Sequence, residues 1–318
     1  MNQSVIQRGH LLYLRVGTEW FLYDMNEKPL GSGAMGTVYQ GRSCLTNEHV
    51  AIKRVVDEYA NYPQIRERAK LEASLLFRHS NLVEMIGYCE IHPSNGPIFI
   101  ISRLVQGITL DKHVELFMRS RKDSVKRICE TIYPVLNALQ YLHEKGIVHM
   151  DIKPSNIMVE NGHNIRLMDL GIATTHSDLG ISSPGLVGTP KYAAPEQIYT
   201  KDRPQTKIDA TTDIYETGVT LYELLSGFNP FDSGSRDETI CRQQTLVLPA
   251  CSKIPAPVLA VLRKATEKSQ SNRYQSADEF QNALKQALIE PRPNYLLWIA
   301  VGIAAVAILL TFIIILSA

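Results

Sequence analysis

The chain of 318 residues carries 33 Lys and Arg against 32 Asp and Glu, a formal net charge of +1, and is 45% hydrophobic. That length accommodates roughly two domains with full cores, the charge balance lacks the basic excess of a chain that coats nucleic acid, and the apolar content excludes general disorder. Cys44, Cys89, Cys129, Cys241 and Cys251 are odd in number and scattered without a CxxC pair, so neither a disulfide framework nor a zinc site is written in them, and a reducing compartment is expected.

Residues 1–10 contain no apolar run, so no signal peptide is expected. Alternating apolar stretches at 11–16 and 50–56 predict an N-terminal region rich in strands. Between them stands Leu30-Gly31-Ser32-Gly33-Ala34-Met35-Gly36-Thr37-Val38-Tyr39, with glycines spaced GxGxxG. Glycine lets backbone N–H groups approach phosphate oxygens without a Cβ in the way. No Gly-Lys-Ser/Thr follows, so this is not a P-loop, and Thr37-Val38-Tyr39 prefers a strand where a dinucleotide fold needs a helix. Lys53 ends the apolar strand Val50-Ala51-Ile52 seventeen residues after Gly36, placed to hold nucleotide phosphates. Such a lysine needs a carboxylate to fix it. In the helix expected over about 63–78, Glu67 sits between Arg66 and Arg68, whereas Glu72 shares the inward face of Leu71, Leu75 and Leu76, so Glu72 is the expected partner.

Ile128, Ile132, Val135, Leu136, Leu139 and Leu142 recur at helical spacing, with Pro134 inside the pattern, and the later region reads as mostly helical. The fold class is α+β with unlike halves. Near the end, residues 296–316 are free of charge and as a helix would span about 31 Å, the thickness of a hydrocarbon core. A buried helix would carry a polar face, which this run lacks. Lys285 and Arg292 precede it and only Ser317 and Ala318 follow. A single-pass anchor with the N-terminal bulk in the cytoplasm and no sensor beyond is therefore expected.

The decisive cluster is His149-Met150-Asp151-Ile152-Lys153-Pro154-Ser155-Asn156, followed by Asp169-Leu170-Gly171. Phosphoryl transfer calls for these types: a carboxylate to take a hydroxyl proton, an amide and a second carboxylate for Mg²⁺, and a lysine near the moving phosphoryl group. The order resembles the catalytic loop and metal-binding triplet of protein kinases, most of all the serine/threonine kinases of bacteria, over about residues 23–288. The resemblance implies a two-lobed fold: an N-terminal extension over 1–22, a small lobe to about 102, a hinge at 103–107, a large lobe over 108–290, a linker at 291–295 and the anchor over 296–316. It also implies ATP and Mg²⁺ as cofactors.

Asp151 is then the base and Lys153 steadies the γ-phosphoryl group. Asn156 and Asp169 hold Mg²⁺, Lys53 held by Glu72 binds the α- and β-phosphates, and residues 31–36 close over them. Ser102 guards the adenine pocket, and backbone groups of Arg103 to Val105 take the base. Gly188-Thr189-Pro190-Lys191-Tyr192-Ala193-Ala194-Pro195-Glu196 resembles the end of an activation segment, with Glu196 paired to Arg273. Asp213, in Asp213-Ile214-Tyr215 with Gly218, resembles the aspartate that braces the catalytic loop. Lys153 and Thr189 match serine/threonine rather than tyrosine kinases.

Met150 stands where most of the family has the arginine that pairs with a phosphorylated activation segment, which removes that pairing without touching the chemistry. Leu170 replaces the more usual phenylalanine. The rival reading, a membrane-tethered pseudokinase scaffold, would be marked by loss of Lys53, Asp151, Asn156 or Asp169, and all four are present. A small-molecule kinase would not be expected to carry the segment over 188–196. Histidines elsewhere, such as His10, His92 and His163, lack partners at metal-ligand spacing, and His149 reads as a packing residue. Expected partners are proteins bearing Ser or Thr acceptors, a bilayer and a second copy for trans-autophosphorylation; nucleic acid is not among them.

Overall fold

The computed structural model describes residues 4–33, 36–55, 66, 78–91, 96–169, 189–198 and 208–289. Glu72, Ala34, Met35, Leu170 and the expected span over 296–316 lie outside these. Among the described residues no helix is long and apolar enough to cross a membrane.

The N-terminal half is strand-rich, as its alternating pattern predicts. β1 (Val5–Arg8), β2 (Leu11–Val16), β3 (Glu19–Asp24), β4 (Gly31–Gly33), β5 (Gly36–Ser43), β6 (His49–Val55), β7 (Met85–Glu90) and β8 (Ile98–Arg103) form an antiparallel sheet of order β1-β2-β3-β5-β6-β8-β7, with β4 paired to β5. Period-two alternation puts Leu12, Leu14, Phe21, Tyr23, Val50, Ile52, Phe99 and Ile101 into one core. Residues 5–22, ahead of the kinase-like sequence, are thus strands of the same sheet, with Leu14 fully buried. The sheet curls until Val16 of β2 meets β7 at Gly87, where a Cβ would lie 2.5 Å from the valine Cγ1.

Beyond residues 104–106, β9 (Gly107–Thr109), β10 (Ile157–Glu160) and β11 (Asn164–Leu167) form a small antiparallel sheet. The remainder is helical: α1 (Leu110–Phe117), α2 (Ser124–His143), α3 (Ala210–Ser226), α4 (Arg236–Thr245), α5 (Ala256–Ala265) and α6 (Ala277–Ala287). The stripe Ile128, Ile132, Val135, Leu136, Leu139 and Leu142 of α2 enters a second core that is separate from the first. Two cores joined through a short connection make two lobes. α3 is buried nearly all round, which identifies it as the central post of the large lobe. It starts at Asp209, whose carboxylate accepts from the Thr211 N–H at 2.9 Å, and stops at Gly227, where φ is 89°.

Candidate active site

The glycine-rich segment is the antiparallel pair β4–β5. Gly31 pairs with Val38, Ser32 with Thr37 and Gly33 with Gly36, and the Leu30 N–H donates to the Val38 carbonyl at 2.8 Å. A Cβ on Gly36 would come within 2.3 Å of the Arg54 carbonyl, so this close crossing onto β6 requires glycine. Val38 is also in register with Lys53 on β6. Because Val50 and Ile52 point into the N-terminal core, Lys53, of opposite parity, points the other way, toward Asp169. Its Nζ lies 3.1 Å from Asp169 Oδ1, and the ammonium beside it holds the Asp169 carboxyl below the usual range.

The catalytic loop is pinned from beneath by α3. Asp213 accepts from the His149 N–H at 2.9 Å and the Met150 N–H at 2.8 Å, and His143 Nε2 donates to it at 2.7 Å. These bonds hold Met150 at a φ of 65°, left-handed backbone uncommon for a residue with a side chain. One turn along α3, Glu216 accepts from the Ile152 N–H at 2.7 Å, and Thr220 donates to the Ile152 carbonyl at 3.0 Å. Asp213, Glu216 and Thr220, spaced three and four apart, share one helix face. Gln197 donates to the Met150 carbonyl at 3.0 Å and also to the Glu216 carboxyl, while its own carbonyl accepts from the Ala194 N–H at 2.5 Å. Burial, and then Asp213 nearby, raise the Glu216 carboxyl well above its ordinary value.

On this support Asp151 and Lys153 flank Ile152. Asp151 Oδ2 accepts from Lys153 Nζ at 2.7 Å and from Asn156 Nδ2 at 2.9 Å, and its Oδ1 accepts from the Thr189 hydroxyl at 2.8 Å. Lys153 also donates to Thr189 Oγ1 at 2.7 Å. Both side chains of the Lys153–Asp151 pair are about one-fifth exposed, so they are held yet reachable. Asn156 Nδ2 also donates to the Asp151 carbonyl, which leaves Asn156 Oδ1 as an oxygen ligand alongside the Asp169 carboxylate. No group of three or more His, Cys, Asp or Glu side chains could hold a metal ion among the described residues. Mg²⁺ takes one or two protein oxygens and completes its shell on phosphate and water, so this oxygen pair fits it.

Elsewhere, Glu196 and Arg273 form a buried bidentate pair at 2.6 and 2.8 Å, and His149 donates from Nε2 to the Met168 carbonyl at 2.9 Å as a packing residue. Met150 packs with Val148 and Ile208 in an apolar pocket. At the inter-lobe connection the Arg103 N–H is committed to the Glu84 carbonyl at 2.9 Å, and the Arg103 side chain pairs with Glu160. The Arg103 carbonyl and the backbone of Leu104 and Val105 remain the groups expected to take a base, with Val105 buried. Glu216, Thr220 and Gln197 were not anticipated, nor was Thr189 as a partner of Asp151. Counting three and seven on from Asp213 along the helix would have found the first two.

Residues 25–289 match the protein kinase domain family, and the chain belongs to that family. It is 32% identical over 270 residues to a probable serine/threonine-protein kinase of Streptomyces coelicolor, covering 81% of this chain and 39% of that protein. It is equally identical to the serine/threonine-protein kinase PknB of Mycobacterium tuberculosis, covering 81% of this chain and 41% of PknB. The chain thus matches about two-fifths of the length of these relatives. The crystal structure of the Mycobacterium tuberculosis PknI kinase domain superposes with a TM-score of 0.63 at 23% identity, covering 90% of this chain and 100% of that one.

Proposed function

We propose that this protein is an ATP-dependent serine/threonine protein kinase, anchored by residues 296–316 with its two lobes on the cytoplasmic side, and that it phosphorylates itself as well as other proteins. One observation carries the catalytic reading. A threonine hydroxyl already donates to Asp151 at 2.8 Å while Lys153 and Asn156 hold the carboxylate's other oxygen.

In the reaction an acceptor hydroxyl lies where it can bond Asp151, and its oxygen attacks the γ-phosphorus of ATP. The bond to the β-γ bridging oxygen breaks, ADP leaves, and the hydroxyl proton passes to Asp151. Lys153 stays on the side of the transferred group, and Lys53 neutralises phosphate charge beneath the glycine hairpin. Mg²⁺, held through Asn156 Oδ1 and Asp169, would supply further neutralisation of the phosphate oxygens. The protein's contribution is positioning and fixed charge rather than covalent chemistry.

The anchor reading rests on the uncharged run at 296–316 and on the weak positive bias before it. Two experiments test the whole. Phosphoamino-acid analysis after incubation of the full chain with labelled ATP and casein should yield phosphoserine and phosphothreonine; no label in either protein would favour the scaffold reading. Carbonate-washed membranes should retain the chain, and protease added to spheroplasts should spare the lobes; digestion from outside would refute the orientation.

A further inference from the structure

We infer that the loop joining α1 to α2 is a contact surface for an anionic lipid bilayer, a reading that rests on the proposed anchor. Residues 119–127 read Arg-Ser-Arg-Lys-Asp-Ser-Val-Lys-Arg, five cations against one carboxylate. Lys126 and Arg127 have partners along the helix, Glu130 at 3.9 Å and Asp123 at 3.7 Å. Arg119, Arg121 and Lys122 are exposed and make no ion pair among the described residues. Immediately before them Leu116 and Phe117 are 66% and 55% exposed. The Arg119 guanidinium lies against Gly227, 3.3 Å from where a Cβ would sit, which brings exposed Phe228 alongside. Apolar side chains rimmed by unpaired cations suit a surface that is anionic at the headgroup and apolar just below it. The opposing charges are Asp111 and Glu115 on α1, Asp123 in the loop and Glu130 on α2.

The position of the loop supplies the second argument. α6 runs back along α2: the Asp278 N–H meets Gln140 Oε1 at 3.4 Å, Gln281 Nε2 meets the Tyr133 carbonyl at 3.1 Å, and Lys285 Nζ sits 5.2 Å over the Tyr133 ring. Continued at 1.5 Å per residue, this course brings Ile289 level with the first turn of α2, and Val125 packs on the same core as Ala287 and Leu288. The described chain therefore ends near the basic loop, and the six residues between Ile289 and position 296 could reach at most about 20 Å. A chain tethered there presents this end of α2 to the membrane. The other end of α2, where His143 meets Asp213 under the catalytic loop, is about 30 Å away along the helix, so the cleft would stand clear of the lipid and face proteins beside it.

The test uses the full chain in vesicles of pure phosphatidylcholine and in vesicles with phosphatidylserine added, followed by hydrogen exchange at 116–123. Exchange should slow in the anionic vesicles only, and the Arg119→Ser/Arg121→Ser/Lys122→Ser variant should lose that protection while remaining folded by far-UV circular dichroism. Each cation removed should weaken the contact about fivefold, about a hundredfold for three. Equal exchange in both vesicles, with the protein resistant to carbonate, overturns the surface and spares the anchor. Protection in neutral vesicles that grows with protein density points to a second copy and also overturns it. If carbonate releases the chain, the anchor fails, and flotation with anionic vesicles then decides the surface: flotation lost in the triple variant supports it, and no flotation of the wild type overturns it.

Discussion

Glu216 offers the sharpest check on how the catalytic loop is built. Ile152 is fully buried, and its N–H has the Glu216 carboxyl as acceptor at 2.7 Å. Glu216→Leu leaves that donor and the Gln197 amide short of an acceptor, a destabilisation of about 2 kcal/mol. Because Asp151 and Lys153 flank Ile152, a displacement of about 1 Å at their common neighbour should lower kcat about a hundredfold. Glu216→Gln keeps an acceptor oxygen and should stay within a few-fold of wild type.

The two substitutions also differ in pH response. Unfolded, Glu216 titrates near the ordinary glutamate value of 4.5; folded, burial and Asp213 raise it well above that. Below 4.5 both states are protonated. Above it the folded state keeps a proton that the unfolded chain releases, so this group's stabilising contribution is lost as pH rises through the folded value. Urea midpoints between about pH 5 and about pH 8 should therefore fall more steeply in wild type than in Glu216→Gln. Urea unfolding paired with steady-state kinetics, kcat and KM for ATP separately, reads both effects. Glu216→Leu with the kcat of wild type would refute the claim that α3 sets the geometry of Asp151.

Arg273→Met strands the buried Glu196 carboxylate, relieved only in part by the Thr212 hydroxyl at 2.8 Å, and should cost about 3 kcal/mol, read as a drop in Tm of about 6–12 °C. Met150 packs with Val148 and Ile208 and carries no charge to pair with a phosphate, so phosphatase treatment should lower activity only modestly; a hundredfold loss in a phosphatase-coupled kinase assay would point to a basic residue elsewhere that replaces the arginine. Gly36→Val should raise KM for ATP at least tenfold, because the β5–β6 crossing at Arg54 has no room for a Cβ.

Much of the catalytic chemistry was legible because it demands particular residue types at particular intervals. Asp151, Lys153, Asn156 and Asp169 converge as their spacing implied, and Asp213 and the Glu196–Arg273 pair take the bracing roles read from position. Apolar alternation likewise marked the strands at 11–16 and 50–55. What pattern could not supply were contacts between segments far apart in the chain. That Glu216 and Thr220 catch both backbone groups of Ile152 depends on how α3 lies under the loop. That Gln197 ties the 189–198 segment to Met150 depends on a fold no local period encodes. Residues 5–22 read as an N-terminal extension because their strands belong to a sheet whose other members lie downstream. That the Arg103 N–H is taken by the Glu84 carbonyl, so that only its own carbonyl could serve a base, is likewise visible only once β8 is paired.

The most direct test of the central claim compares Mg-ATP affinity and phosphoryl transfer for the wild type, Lys53→Met and Asp151→Asn forms of the full chain. Lys53→Met should lose nucleotide affinity and turnover together. Asp151→Asn should bind Mg-ATP close to wild type and yet transfer phosphate at less than about one-hundredth of its rate. Turnover by Asp151→Asn equal to wild type would contradict the account.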